Sequence, residues 1–458
     1  MLDRTDPARP RLRPSHSTRP GRPVLASYRR IFTPPGAVAF TLAGLLGRLA
    51  FSMTGVGTVV MIATRRDSYA LAGAVSAVGV ATVAVGMPLL GRLVDRYGQA
   101  RVAVPSVLVA AAPFAGLLLC VHYGAPTWTY FVCWPAASVL PNLGGMARAR
   151  WAHLHRDDPA ARHLANSLEQ ALDELCFMAG PVLAMLLCTS LFPEAGLLAG
   201  GLMATGGTLL FAAQRRTEPP VQPVQPVQQD RDGIWRTGGL RVVVPVFLAT
   251  GVAFGSMEVA TIAYSDALGQ RALGGGLLAL MAAGSCVSGL AFGLVRTRRS
   301  AASVLLTGVA AMAGLLLLPL AVSASGAGLA LLAVALFVAG SGTAPTMVAG
   351  MTVVQEVLPA GKLNEGMSLA VSGIMIGISA GSAVGGTIAQ HTAPGTGYAV
   401  PAGAAALALL LTAAGYRRLR PHRASTTAAA TAAVTAAAAA ARATDAAPNA
   451  EAVVSAGR

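Results

Sequence analysis

From residue 37 onward, long apolar runs alternate with short polar ones. Stretches of spanning length occur at 37–63, 69–90, 102–121, 127–147, 167–191 and 195–213. A second set occurs at 242–264, 272–295, 301–323, 326–349, 366–390 and 397–416. A helix needs about 20 apolar residues to cross a hydrocarbon layer, so the pattern predicts twelve transmembrane helices. Between the sets, 214–241 holds EPPVQPVQPVQQDRD, a Pro/Gln tract that reads as an extended linker. Residues 1–35 are rich in Arg and Pro and lack the apolar core of a signal peptide, so they read as a disordered basic tail. Residues 417–458 form a low-complexity Ala-rich tail. The expected architecture is an all-α integral membrane protein, with six-helix bundles at 36–213 and 242–416.

Composition agrees with this pattern. Hydrophobic residues make up 54% of the 458, charged residues only 12%, and mean hydropathy is +0.61. Soluble domains carry about a quarter charged residues, so too little charge is present to coat a soluble protein of this size. The net charge of +15 would suggest nucleic acid in a soluble protein, but its distribution points elsewhere. With both termini and the even-to-odd loops on the cytoplasmic side, thirty Arg and Lys fall inside and three outside, at Arg65, Arg66 and Arg271; Arg48 lies within the first span. This is the positive-inside bias of a membrane protein facing an anionic leaflet. The expectation is therefore a multi-pass protein of the plasma membrane, with a lipid partner and no nucleic acid.

The five cysteines, Cys120, Cys133, Cys176, Cys188 and Cys286, all lie in apolar runs without metal-ligand spacing. No nucleotide-binding Gly-rich loop with its Lys and no nucleophile elbow is present. Neither an enzyme nor a cofactor or metal site is expected. Without visible means to use ATP, an ion gradient is the expected energy source, most simply protons.

The two halves resemble each other weakly. Ala50-Phe51 matches Ala253-Phe254 at an offset of 203. Gly91 and Arg96 match Gly293 and Arg298 at 202, and Ser167-Leu168 and Gly180 match Ser368-Leu369 and Gly381 at 201. Nearly equal offsets in order suggest a duplicated six-helix unit, as in many secondary transporters.

The loop after the second span reads Gly91-Arg-Leu-Val-Asp95-Arg96-Tyr-Gly98-Gln-Ala-Arg101. It resembles the G-x-x-x-D-R-x-G-x-R loop of the major facilitator superfamily, with the last Arg one position later at Arg101, and the resemblance covers roughly 36–416. In the second half, Thr297 stands where the Asp would fall. Gly91 and Gly98 allow a tight turn and close helix approach. Asp95 can accept from helix N-terminal amides or pair with Arg, making a latch that breaks when the halves rock. Gly180-Pro181 in the fifth span looks like a degraded form of the Gly-Pro signature of antiporters in this superfamily, where Pro bends the helix.

Charges within hydrocarbon cost about 2.5–3.5 kcal/mol each on insertion scales, so those present are functional candidates. Arg48 lies near the middle of the first span. Glu169, Asp173 and Glu174 lie in the first half of the fifth, with Asp173 and Glu174 about 10–12 Å above the cytoplasmic edge. Glu169 and Asp173 share a face at i,i+4, and Glu174 is rotated about 100° from Asp173. These four form the candidate proton-coupling set. The resemblance implies that spans 1, 4, 7 and 10 line the cavity, which makes Glu258, Asn142 and Arg48 substrate candidates. Arg148 and Arg150 read as positive-inside anchors.

The expected function is proton-coupled efflux of a small organic or drug-like compound by a monomer, through alternating access. A proton-coupled importer or sugar/metabolite symporter, and a non-transporting membrane sensor or scaffold, are the alternatives.

Overall fold

The computed structural model describes residues 24–221, 234, 237–270, 273–295, 299–391 and 394–419. The expected tail segments 1–23 and 420–458, most of the linker's Pro/Gln tract, and the loop residues Arg271, Thr297 and Arg298 lie outside them.

All regular structure among the described residues is helical. A short helix, α1 (Val24–Ile31), precedes the first half: α2 (Ala37–Arg66), α3 (Tyr69–Tyr97), α4 (Gln99–His122), α5 (Trp128–Ser138), α6 (Leu143–Leu154), α7 (Pro159–Ser190) and α8 (Ala195–Ala213). The second half comprises α9 (Leu240–Ala267), α10 (Gly274–Leu294), α11 (Ala301–Leu315), α12 (Leu317–Ser325), α13 (Leu329–Gly340), α14 (Thr343–Val357), α15 (Leu363–His391) and α16 (Ala399–Gly415). Among the described residues, eleven helical stretches are long and apolar enough to cross a membrane. The twelfth crossing is the broken pair α5–α6, in two six-helix halves.

Polar side chains set several boundaries. Ser68 accepts from the Leu71 amide at the start of α3, Asp158 from Ala161 at the start of α7, and Ser300 from Ser303 at the start of α11. Each satisfies an amide that the first helical turn leaves unpaired.

The expected continuous span 127–147 is instead interrupted at Val139–Asn142. Pro141 has no N–H and disfavours helix at the residue before it. Asn142 then restarts the helix by accepting from the Gly145 amide at 2.9 Å. The fifth crossing begins at Pro159, eight residues earlier than the apolar run suggests. Two segments within the stretches read as tail and linker are also structured. α1 packs on the bundle through Ile31, and Arg215–Thr217 form a turn of 3-10 helix.

The alternation of crossings gathers α1, the loop at Tyr97–Gln99 and the start of the linker at one end, called here the linker face. In the second half one apolar cluster runs from Leu240 to Leu419. It includes a seam of small residues in which Gly251 and Gly255 of α9 face α15. A Cβ at Gly377 would stand 2.9 Å from the Gly251 Cα, so only glycine permits this approach. In the first half the apolar core is in two parts. One, around Phe40, Val94, Trp151 and Phe211, lies toward the linker face; the other, around Met61, Leu117, Tyr130 and Leu197, lies at the far end. Charged side chains and a cavity occupy the depth between them.

The internal repeat has a packing counterpart. Gly180 of α7 abuts Ser52 of α2, and Gly381 of α15 abuts Val252 of α9. Residues 201 apart thus make equivalent contacts with the first helix of their own half.

Candidate functional site

The structure brings Arg48, Glu169 and Asp173 together and adds Arg148. Arg48 Nη1 lies 2.9 Å from Asp173 Oδ1 and 2.7 Å from Glu169 Oε2. The second contact is a charge contact off the hydrogen-bond direction, since Glu169 Oε2 has no aligned donor. Arg148 Nη2 donates to Asp173 Oδ2 at 2.7 Å. The Trp151 indole donates to Glu169 Oε1 at 2.6 Å. Two guanidiniums therefore face two carboxylates, and Asp173 takes one on each oxygen. Arg48, Arg148 and Glu169 are 9%, 3% and 0% exposed. Such burial needs this pairing, because an ion without a partner in a low-dielectric interior costs several kcal/mol.

Helix geometry explains the grouping. Glu169 and Asp173 are one turn apart on the face of α7 that meets α2, where Arg48 projects. Arg148 arrives from α6, which the break at Pro141 lets start beside them. Gly144, in its first turn, leaves room for both arginines: a Cβ there would stand 3.3 Å from Arg148 Nη1 and 3.4 Å from Arg48 Cδ.

Glu174 points elsewhere, as its rotation from Asp173 requires. Its Oε1 accepts from Ser285 of α10 at 2.9 Å and from Gln170 at 3.1 Å. Ser285 in turn accepts from Thr343 of α14 at 2.6 Å. Glu174 thus joins the first half to the second with neutral partners alone.

Further polar contacts between the halves lie nearer the linker face. Asn166 of α7 and Gln355 of α14 exchange amide hydrogen bonds at 2.8 and 3.2 Å. His163 bonds the Phe292 carbonyl at 2.9 Å, and the Tyr28 hydroxyl of α1 donates to the Leu290 carbonyl at 2.8 Å. Asp95, at the end of α3, takes the first of its two possible partners. It accepts from the Asn364 amide at 3.1 Å, the Asn364 side chain at 2.8 Å and the Glu365 amide at 2.9 Å. These amides open α15, so the carboxylate sits at the positive end of its dipole. Gly91 permits the approach, since a Cβ there would stand 2.7 Å from the Asn364 carbonyl oxygen. Gly98 ends α3 at φ 97°, a backbone that favours glycine. Arg96 and Arg101 are exposed, Arg96 lying over the Tyr97 ring.

The remaining candidates are dispersed. Asn142 spends its oxygen on capping α6. Glu258 is exposed on α9, outside the charge cluster. α7 runs unbroken through Pro181, with Gly180 seating Ser52 of α2.

The reading of Arg148 and Arg150 as surface anchors is corrected. Arg148 belongs to the ion cluster. Arg150 is fully buried, stacked 3.9 Å over the Phe211 ring, and donates to Gln99 Oε1, the Gln214 carbonyl and Thr217 Oγ1. It ties the linker's first residues to the loop after α3. The sequence offers one signal for this: both arginines follow Pro141, which interrupts the apolar run.

Beside the ion cluster lies a cavity of about 370 Å³, walled by the first half except for Met375 of α15.

A model described as Major Facilitator Superfamily matches residues 2–147 and 246–446. No curated protein sequence is significantly similar to the chain. Solved structures share its fold. A bacterial homologue of the iron transporter ferroportin, in an outward-facing state, superposes with a TM-score of 0.64 at 14% identity, over 83% of this chain and 98% of that one. The human organic anion transporter MFSD10 gives 0.61 at 16%, over 85% and 100%. The E. coli fucose:proton symporter gives 0.60 at 14%, over 82% and 99%. With the family model covering most of its length, the chain belongs to the major facilitator superfamily, a family of multi-pass membrane transporters of small molecules.

Proposed function

We propose that the protein is a proton-coupled secondary transporter of the plasma membrane that exports a small organic compound as a monomer, with both termini and the linker face in the cytoplasm. The observation that carries the coupling is the pairing around Glu174. In the cluster, Arg48 and Arg148 balance Glu169 and Asp173. A proton on Asp173 would leave two cations against one anion. A proton on Glu174 would instead cancel a carboxylate of α7 whose hydrogen-bond partners, Gln170 and Ser285, are both neutral. The same proton changes the bond that joins α7 to α10, because a protonated carboxyl can donate to Ser285 where the carboxylate only accepts.

Protonation and the relation between the halves are thereby linked at one atom pair, as alternating access driven by a gradient requires. Asp95 is the latch of the cytoplasm-closed state, with Gly91 and Gly98 shaping its seat. The charge cluster is the rigid mount that fixes α2, α6 and α7 to one another.

The test is transport in proteoliposomes. Glu174→Gln should lose accumulation driven by a pH gradient while retaining exchange of substrate for substrate. Equal gradient-driven accumulation by wild type and variant would overturn the assignment. A reporter fused within the linker should read cytoplasmic, and an external signal there would overturn the orientation.

A further inference from the structure

The cavity between the two apolar clusters of the first half has a composition that restricts its occupant. No Asp, Glu, Lys or Arg lines it, although a dense ion cluster lies about one helical turn away. Four aromatic side chains, Phe51, Phe114, Trp134 and Phe177, contribute to its wall. Its polar groups are the Trp134 indole N–H and five hydroxyls; the indole and Ser76 lack a hydrogen-bond partner, while the other four hydroxyls donate to carbonyls of their own helix. Ser138 donates to the Trp134 carbonyl at 2.7 Å and Thr205 to the Gly201 carbonyl at 2.8 Å. A charged ligand would be desolvated there without an opposite charge, whereas an aromatic ring would meet aromatic faces and edges and could accept from the free indole N–H. The volume of about 370 Å³ is within the range of small-molecule sites.

The position of the cavity links it to the coupling groups. Phe51 and Ser52 stand three and four residues beyond Arg48 on α2, and Phe177 three beyond Glu174 on α7. The part of the wall they form is therefore the next turn above the ion cluster. Ser52 also donates to the Cys176 carbonyl at 2.7 Å, tying this turn of α2 to α7. A molecule in the cavity would press on the two helices whose next turns carry Arg48 and Glu174.

We infer that this cavity is the substrate seat, that it takes an uncharged, aromatic molecule, and that the first half grips the substrate almost alone. The inference rests on the transport reading for the word substrate, but binding can be tested without a gradient. Gly55 gives the means. It lines the cavity on α2, and no atom lies within 4 Å of where its Cβ would stand. A side chain added there would enter open space.

Two dyes sharing one skeleton test the charge requirement: N-phenyl-1-naphthylamine, which is uncharged, and 1-anilinonaphthalene-8-sulfonate, which adds a sulfonate. Each is titrated by fluorescence into the full-length protein in nanodiscs, with empty nanodiscs subtracted. The uncharged dye should bind saturably, and the sulfonate at least about 30-fold more weakly, given the cost of an unpaired charge at this depth. Gly55→Phe should abolish saturable binding, while Gly73→Phe, at an equally open position of α3 outside the cavity wall, should keep the affinity within about two-fold. Trp134→Phe should reduce the quenching of tryptophan emission that accompanies binding. Absence of saturable binding to wild type, equal affinity for the two dyes, or unchanged binding in Gly55→Phe would overturn the inference. Should Gly55→Phe fail to fold, the dye comparison and the Trp134→Phe quenching decide. Dye binding with no proton coupling would leave the seat standing and remove the coupling proposal; coupling without dye binding would do the reverse.

Discussion

Replacing Asp95 by Asn is the most direct test of the latch, because it keeps the side chain's shape and removes its charge. The carboxylate accepts three hydrogen bonds, at 2.8, 2.9 and 3.1 Å, two of them from first-turn amides of α15. Bonds to a charged acceptor contribute about 1.5–3 kcal/mol and neutral ones about 0.5–1.5 kcal/mol. The asparagine nitrogen would also face a donor. A net loss of about 2 kcal/mol is therefore expected, or about 30-fold in the equilibrium between latched and open states. A population latched 99:1 would fall to about 3:1, enough for a second state to be seen directly. The assay is a distance distribution between spin labels at Arg101 and Arg299, exposed residues on the linker face of the first and second halves, in a background lacking the five native cysteines. A new, longer-distance population should appear in Asp95→Asn. An unchanged distribution in well-folded variant protein would refute the latch.

The balanced cluster and the neutral-partnered Glu174 should separate in stability. Asp173→Asn leaves two buried guanidiniums against Glu169 and should cost about 3–5 kcal/mol, read as a lowered thermal midpoint in detergent, whereas Glu174→Gln should stay near wild type. Gly377→Ala should cost about 1–3 kcal/mol by forcing α9 and α15 apart, and a midpoint equal to wild type would contradict the seam. At the far face, burial pushes the Glu194 carboxyl up, but hydrogen bonds from Arg65 and His122 more than offset this and hold it below the usual glutamate range. A depressed folded pKa stabilises above the unfolded value of about 4.3 and is lost as pH falls through the folded one. Wild type should therefore lose thermal stability below about pH 4 more steeply than Glu194→Gln, and parallel pH curves would contradict this.

The membrane architecture was legible because spanning length and the placement of arginine are one-dimensional signals. Arg48, Glu169, Asp173 and Glu174 stand out in the sequence because charge in an apolar run is costly wherever it points. The partners were harder to read. Arg148 lies in a stretch that looks like a positively charged loop, and only the break at Pro141 turns it inward. Asn142 reads as a cavity residue only if the fourth span is taken as continuous; Pro141 before it marks the break after which it caps a new helix. Asn166 and Gln355 are 189 residues apart, and pairing of neutral amides leaves no trace in hydropathy. The cavity is assembled from all six crossings of the first half and one residue of the second, a juxtaposition that periodicity along each helix does not encode.

The central claim is that substrate and proton move in opposite directions through Glu174. Lumenal pH, followed with a trapped dye in inside-out vesicles whose lumen is acid, tests it most directly. Adding an uncharged aromatic substrate outside should make the lumen more alkaline with wild type and leave it unchanged with Glu174→Gln. Acidification would show symport instead, and an equal alkaline response from the variant would contradict the role of Glu174.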